Sequence, residues 1–364
     1  MDLPLKPPYP PMEASAVDKI PCGDSWRYEP KWDGFRCLAF KDGAAIELQS
    51  KKGEPLARYF PELLAALGRI AAKKCVVDGE IVIPAGAGFS FDDLLQRIHP
   101  AQSRVNRLAA ETPARLIVFD LLVSADGKSL AGLPFEERRA RLDEFFADNF
   151  AGEPIFQLSP SSPRLRDAEE WLKITGGALD GIIAKRADLP YQSGNRNGML
   201  KIKNLRSADC VVGGFRYAAE GRILGSLLLG LYNADGLLDH VGFTSGFSRA
   251  ERIALVKKLE PRIQPPGFTG NAPGGPSRWS TGRSAEWRPL QPDLVVEVRY
   301  DHFSGQRFRH GTKLLRWRPD KDPKTCTLEQ VKATGRAPAM PVRNNRRPAP
   351  GGPAERSRKK RRAL

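Results

Sequence analysis

The segment Glu29-Pro30-Lys31-Trp32-Asp33-Gly34-Phe35-Arg36 sets a lysine among two carboxylates and an arginine, at the edge of a strand that breaks at glycine. A lysine becomes a nucleophile when nearby cations or desolvation favour its neutral form. Alone, such a string also describes an ordinary surface lysine in a β-turn, so the other segments decide its meaning. Val77-Asp78-Gly79-Glu80-Ile81-Val82 buries Glu80 in an apolar run, where a charge needs a partner. Phe119-Asp120 sits in a similar run, and Asp180 and Lys185 bracket another. Met199-Leu200-Lys201-Ile202-Lys203 alternates two lysines on one strand face. Five strands each delivering charged groups describe a pocket for a nucleoside triphosphate and its metal. Asp78 and Asp120 are open to either a structural or a ligand-contacting role.

Strand-like runs at 36–40, 45–48, 76–83, 116–123 and 181–185 must hold these groups. Helical patterns at 61–72, 91–98, 134–149 and 168–175 alternate with them, so residues 1–205 read as a mixed α+β domain. From residue 206 the pattern turns to β, with runs at 210–217, 223–232, 237–244 and 294–300 and one helix at 249–259. Few strands with a single helix predict a small barrel of OB-fold type over 206–333. The Gly- and Pro-rich stretch 264–279 reads as a long loop. The basic tail 334–364 buries too little apolar surface to offset its ordering entropy, which predicts disorder. Trp32, Trp287 and Trp317 are expected to be packing residues.

These segments, in this order, resemble the nucleotidyltransferase motifs of ATP-dependent DNA ligases, RNA ligases and mRNA capping enzymes. Arg318-Pro319-Asp320-Lys321 resembles the RxDK motif of DNA ligases, and the segment from Arg307 to Thr327 is similar to that of small bacterial and end-joining ligases. The resemblance spans about residues 5–330. It implies an adenylation domain with mixed and antiparallel sheets, then an OB-fold β-barrel. It assigns Lys31 as the residue that attacks the α-phosphate of ATP and carries AMP. Arg36 and Glu80 match positions that bind the ribose, Phe119 the adenine-stacking ring, and Glu29 the reader of the adenine amine. Lys185 falls in the nucleotide-binding set, and Lys201 and Lys203 match the pair that neutralises the α-phosphate. Asp180 and Glu80 are the expected metal carboxylates, for Mg2+ with Mn2+ as an alternative. Arg318, Asp320 and Lys321 are expected over the β- and γ-phosphates when the second domain closes, and Ser50 and Lys51 against DNA. Two positions depart from the pattern: Asp180 is a methylene shorter than the usual glutamate, and Lys51 lacks the bidentate fork of the commoner arginine.

Composition agrees with that reading. The net charge of +16 points to a polyanionic partner. About half of it lies in 343–364, where nine Arg or Lys accompany Glu355 alone, so the tail is expected to add non-specific DNA contacts that fade with salt. Five scattered cysteines and four histidines form neither a CxxC pair nor an HExxH pattern, which leaves a metal site to carboxylates and phosphates. No run approaches the roughly 18 apolar residues that cross a bilayer, and no secretory leader is evident. The expected protein is a cytoplasmic, nucleoid-associated monomer, independent of membranes. Its expected partners are nicked duplex DNA and a Ku-like end-binding protein. The competing readings are an RNA ligase or capping-type enzyme, and a non-catalytic nick- or end-binding protein.

Overall fold

The chain changes sheets at Asp33-Gly34, and that crossover sets where Lys31 lies. The computed structural model describes residues 1–86, 88–174, 179–219, 221–274 and 286–331. Its first part holds eleven strands: β1 (Ser15–Ala16), β2 (Trp26–Trp32), β3 (Phe35–Asp42), β4 (Ala45–Ser50), β5 (Lys74–Val82), β6 (Pro84–Ala85), β7 (Gly88–Phe89), β8 (Arg115–Val123), β9 (Phe156–Leu158), β10 (Leu179–Arg186) and β11 (Met199–Ile202). One sheet has the order β1-β11-β10-β2 and a second the order β4-β3-β5-β8-β9. β2 pairs antiparallel with β10, setting Lys31 opposite Gly181, while β3 pairs with β4 and β5. The lysine therefore ends one sheet just where the chain enters the other. Gly34 is needed at the crossing, because a Cβ there would meet the Ile81 carbonyl oxygen at 2.2 Å.

Helices α1 (Pro61–Arg69), α2 (Phe91–Gln96), α3 (Gln102–Glu111), α4 (Phe135–Asn149) and α5 (Leu165–Lys173) cover these sheets. Helix α1 opens with proline at its first turn and stops at Ile70, whose ψ of 149° is extended. Helix α4 turns Phe135, Leu142, Phe145 and Phe146 inward. There Leu142, Phe145 and Phe146 join Val118, Leu116 and Leu63 in the largest core of this half. Each such fully buried side chain contributes about 1.5–3 kcal/mol.

The second part contains β12 (Arg206–Tyr217), β13 (Leu224–Tyr232), β14 (Leu238–Thr244), β15 (Arg288–Pro289), β16 (Val295–Tyr300), β17 (Phe303–Ser304), β18 (Arg307–Phe308) and β19 (Lys313–Trp317), with α6 (Arg249–Leu259) between β14 and β15. A reciprocal capping box fixes the start of α6: Ser248 Oγ accepts from the Glu251 amide, and the Glu251 carboxylate accepts from the Ser248 amide. The sheet order is β14-β13-β12-β16-β19, with β15 beside β12. The expected barrel is thus an open OB-type sheet among the described residues. Between its outer strands only a bridge from Thr244 to Thr312 closes the gap, with Thr244 Oγ1 donating to the Thr312 carbonyl at 2.9 Å.

Strands and helices fall near the expected runs, with instructive differences. Helix α3 was not expected, because its sequence is largely polar and only Val105 is buried. Strand β2 extends back to Trp26, ahead of the reactive segment. The loop at 264–279, described as far as Gly274, does more than connect. Its Phe268 is 5% exposed and lies against Gly213 and Gly230, where a Cβ would come within about 3 Å of the ring. The predicted disordered tail lies outside the described residues. No helix among the described residues is long and apolar enough to cross a membrane.

Candidate active site

Lys31, at the end of β2, donates from Nζ to Asp180 Oδ2 at 2.6 Å. Asp180 stands on β10, and the next residue, Gly181, takes φ +140°; a Cβ there would lie 2.1 Å from the Ile202 carbonyl oxygen. Beside that close approach Lys203, just past β11, reaches the same carboxylate at 3.1 Å. Burial pushes the Asp180 carboxyl up, but Lys31 and Lys203 outweigh it and hold the group below its ordinary range. Lys201 is lowered as well, by burial and then by the charges of Lys31 and Lys203, which in a lysine disfavours the charged form. A charge cluster of this kind favours an added anion.

A cavity of about 220 Å³ opens beside Lys31, with Glu29, Arg36, Glu80, Phe119, Lys185 and Lys201 on its walls. Glu29 is buried and pairs through Oε2 with Lys185 Nζ at 2.8 Å, while its Oε1 makes no hydrogen bond. Burial raises its pKa against the opposing pull of Lys185 and Arg139. Lys185 also donates to the Phe119 carbonyl and lies 4.8 Å from the centre of that ring. The Arg36 guanidinium stands 4.7 Å from the same ring centre. Asp78, fully buried, grips Arg36 through its Nε at 2.5 Å and Nη2 at 2.6 Å. Asp120 grips Arg138 of α4 at 2.8 Å in the same bidentate manner. Both aspartates therefore position arginines. Burial, only partly countered by Lys31 and Arg36, pushes the Glu80 carboxyl up to about 7.

Ser50 ends β4 and Lys51 follows it. Ser50 accepts from the Glu54 amide, and Lys51 reaches the cavity rim, where it pairs with Glu13 at 3.0 Å. Arg196 shares that carboxylate at 3.1 Å. Trp32 donates to Ser159 and packs edge-on to Phe89, Trp287 lies on Phe268, and Trp317 lies under Lys258, so all three tryptophans pack.

Arg318, Asp320 and Lys321 do not line the cavity. Arg318 bonds Asp209 on β12 at 2.9 Å and Asp320 at 2.8 Å, and Lys321 lies 3.5 Å from Asp209. A different part of the second half meets the Lys31 face. Asp301, which follows β16, takes Lys203 Nζ at 2.8 Å. Arg309, which follows β18, pairs with Asp33 and lies 3.3 Å from the centre of the Phe91 ring. Asp33 is thus a partner for the second half. Sequence reasoning did not single out Asp301, Glu13 or Arg196, since isolated charges in polar segments give no pattern. Arg309 lay inside a quoted segment, but its target is a distant residue.

Residues 11–203 match the family described as ATP dependent DNA ligase domain, and residues 220–321 match the ATP dependent DNA ligase C terminal region. The chain belongs to the ATP-dependent DNA ligase family. DNA ligase C2 of Mycolicibacterium smegmatis is 47% identical over 347 residues, covering 91% of this chain and 96% of the relative. The multifunctional non-homologous end joining DNA repair protein LigD of Mycobacterium tuberculosis is 29% identical over 310 residues, and the chain spans 37% of it. A solved Lig E DNA ligase shares the fold, with a TM-score of 0.53 at 18% identity, over 85% of this chain and 99% of that one. This ligase therefore uses ATP, and the nucleotidyltransferase motifs converge on one cavity, with the last motif held apart on the second half.

Proposed function

We propose that the ligase seals nicks in duplex DNA through AMP carried on Lys31. The observation that carries this reading is that Lys31 and Lys201 line a cavity with Glu29, Arg36, Glu80 and Phe119, while Lys31 shares the Asp180 carboxylate with Lys203. The unsatisfied Glu29 Oε1 suits the exocyclic amine of adenine, which also relieves a buried acceptor that otherwise costs about 1–3 kcal/mol. Phe119 offers a ring face to the base, and Arg36 and Glu80 face the ribose. Lys31 must release Asp180 and lose its proton before its lone pair can meet the α-phosphate; pyrophosphate then leaves and a phosphoramidate remains. Lys201 and Lys203 neutralise charge as it builds on the α-phosphate. AMP next passes to the 5′-phosphate of the nick, and the 3′-hydroxyl displaces it to close the strand. Lys51 and Ser50 meet the DNA beside this path.

Two carboxylates, Asp180 and Glu80, supply hard oxygen donors next to Lys31, and no larger cluster of acidic or histidine ligands exists among the described residues. That set fits Mg2+, which binds through one or two carboxylates and completes its shell with phosphate oxygens and water. Mn2+ is the alternative. When bound, the cation stabilises charge on the phosphates. Arg318, Asp320 and Lys321 serve the β- and γ-phosphates after the second half turns. We place the enzyme on bacterial chromosomal DNA, as a cytoplasmic monomer acting in repair or end joining with a Ku-like end-binding partner. The name of the LigD relative supports the pathway. The test is a nicked duplex bearing a 5′-phosphate: ATP and Mg2+ together give a sealed strand, and failure with either Mg2+ or Mn2+ contradicts the proposal.

A further inference from the structure

The first residues of the chain form a strap along the cavity, and Pro11, Met12, Glu13 and Ala14 line it. The strap is stitched to the segment between β10 and β11. Ser193 Oγ donates to the Pro10 carbonyl at 2.7 Å, the Gly194 amide to that of Pro11 at 3.3 Å, and the Glu13 amide to that of Asn195 at 2.8 Å. Tyr191 adds a contact of another kind. Its buried hydroxyl accepts from the Met12 amide at 2.9 Å and donates to Asp78 Oδ2 at 2.6 Å. Asp78 holds Arg36 through Nε and Nη2, and Arg36 Nη2 also reaches the Met12 carbonyl at 3.3 Å. Tyr191, Asp78, Arg36 and Met12 thus close a ring of hydrogen bonds. Among the described residues, Arg36 Nη1 alone of its guanidinium nitrogens beyond Nε is left for a ligand.

We propose that Tyr191 is a positioning residue for nucleotide binding, whose hydroxyl fixes the ribose-facing guanidinium of Arg36 and the N-terminal strap as one wall of the ATP cavity. A phenylalanine would fill the same space and keep the stacking on Tyr9 at 6.3 Å. A buried hydroxyl is costly unless it is used. Here its single proton goes to the carboxylate that aims Arg36, and its lone pair satisfies a strap amide that has no other described partner. Charge-assisted bonds of this kind are the strong ones, and a chain of them fixes geometry better than packing does.

The inference rests on the reading of the cavity as the ATP site, and the experiment separates the two. Wild type and Tyr191→Phe are compared in self-adenylation with ATP and 2′-deoxyATP, in sealing of a pre-adenylated nick, and in thermal melting. The expected result is a KM for ATP raised about tenfold, an adenylation kcat and a pre-adenylated sealing rate close to wild type, and a smaller preference for ATP over 2′-deoxyATP. Asp78→Asn, which weakens the same ring from its other side, shows the same split and serves if Tyr191→Phe does not fold. An unchanged KM and unchanged sugar preference in a folded variant overturn the proposal. Equal losses in adenylation and pre-adenylated sealing also overturn it, since they reveal a structural role only. A wild-type protein that never takes up AMP refutes the ATP site itself.

Discussion

Lys31, Asp180, Lys201 and Lys203 derive their chemistry from being too close to ignore one another. Two ammonium groups share one aspartate oxygen, and burial lowers the pKa of a third lysine beside them. Gly181 makes that packing attainable, since its φ of +140° and its contact with the Ile202 carbonyl exclude a side chain. We predict that Gly181→Ala costs about 1–3 kcal/mol in backbone strain alone and sharply slows AMP transfer by parting Asp180 from Lys203. Thermal melting and a labelling time course check both; wild-type values in each would show that β10 and β11 tolerate the side chain. At this scale much was readable in the sequence. Lysine alternation named Lys201 and Lys203, and a charge inside an apolar strand named Glu80. The role of Asp78 was not readable, because its partner Arg36 lies 42 residues away and only the pairing of β3 with β5 joins them.

Strands carry the reactive groups, and helices hold the strands at a fixed angle. Helix α4 is tied to β8 by the ion pair of Arg138 with Asp120, both nearly solvent-free. Burial opposes the charge on Asp120, yet Arg138 more than offsets it and keeps the carboxyl below its ordinary range. Removing one partner leaves a buried charge uncompensated. Arg138→Met is therefore expected to lose about 3–5 kcal/mol, read as a shift in the denaturant midpoint; a loss under 1 kcal/mol would show that water reaches Asp120. Most elements were evident from period and turn residues. Helix α3 escaped because its sequence is largely polar and it buries only Val105. The barrel expected of the second half is an open sheet for a related reason: strand count is visible in a sequence, whereas closure depends on whether the outer strands β14 and β19 meet.

The two halves meet through charges. Asp301 takes Lys203, and Arg309 takes Asp33, beside Asp180 and the Lys31 turn. The last motif meanwhile stays on Asp209. On the proposed function, Arg318 and Lys321 reach ATP only after this arrangement comes apart. We predict that Asp301→Asn combined with Arg309→Ala speeds self-adenylation and slows sealing of a pre-adenylated nick; a parallel change in both rates would contradict a role for this contact in domain placement. Composition pointed to a polyanionic partner but not to this contact, which joins residues far apart in the chain. All of this chemistry depends on Lys31 carrying AMP, as proposed above. Purified protein is incubated with ATP labelled at the α-phosphate and Mg2+, beside Lys31→Ala, after pyrophosphate treatment to discharge any AMP already bound. Label is expected to stay on the denatured wild-type chain, with none on the variant. Label on both proteins, or on neither, would contradict that role for Lys31.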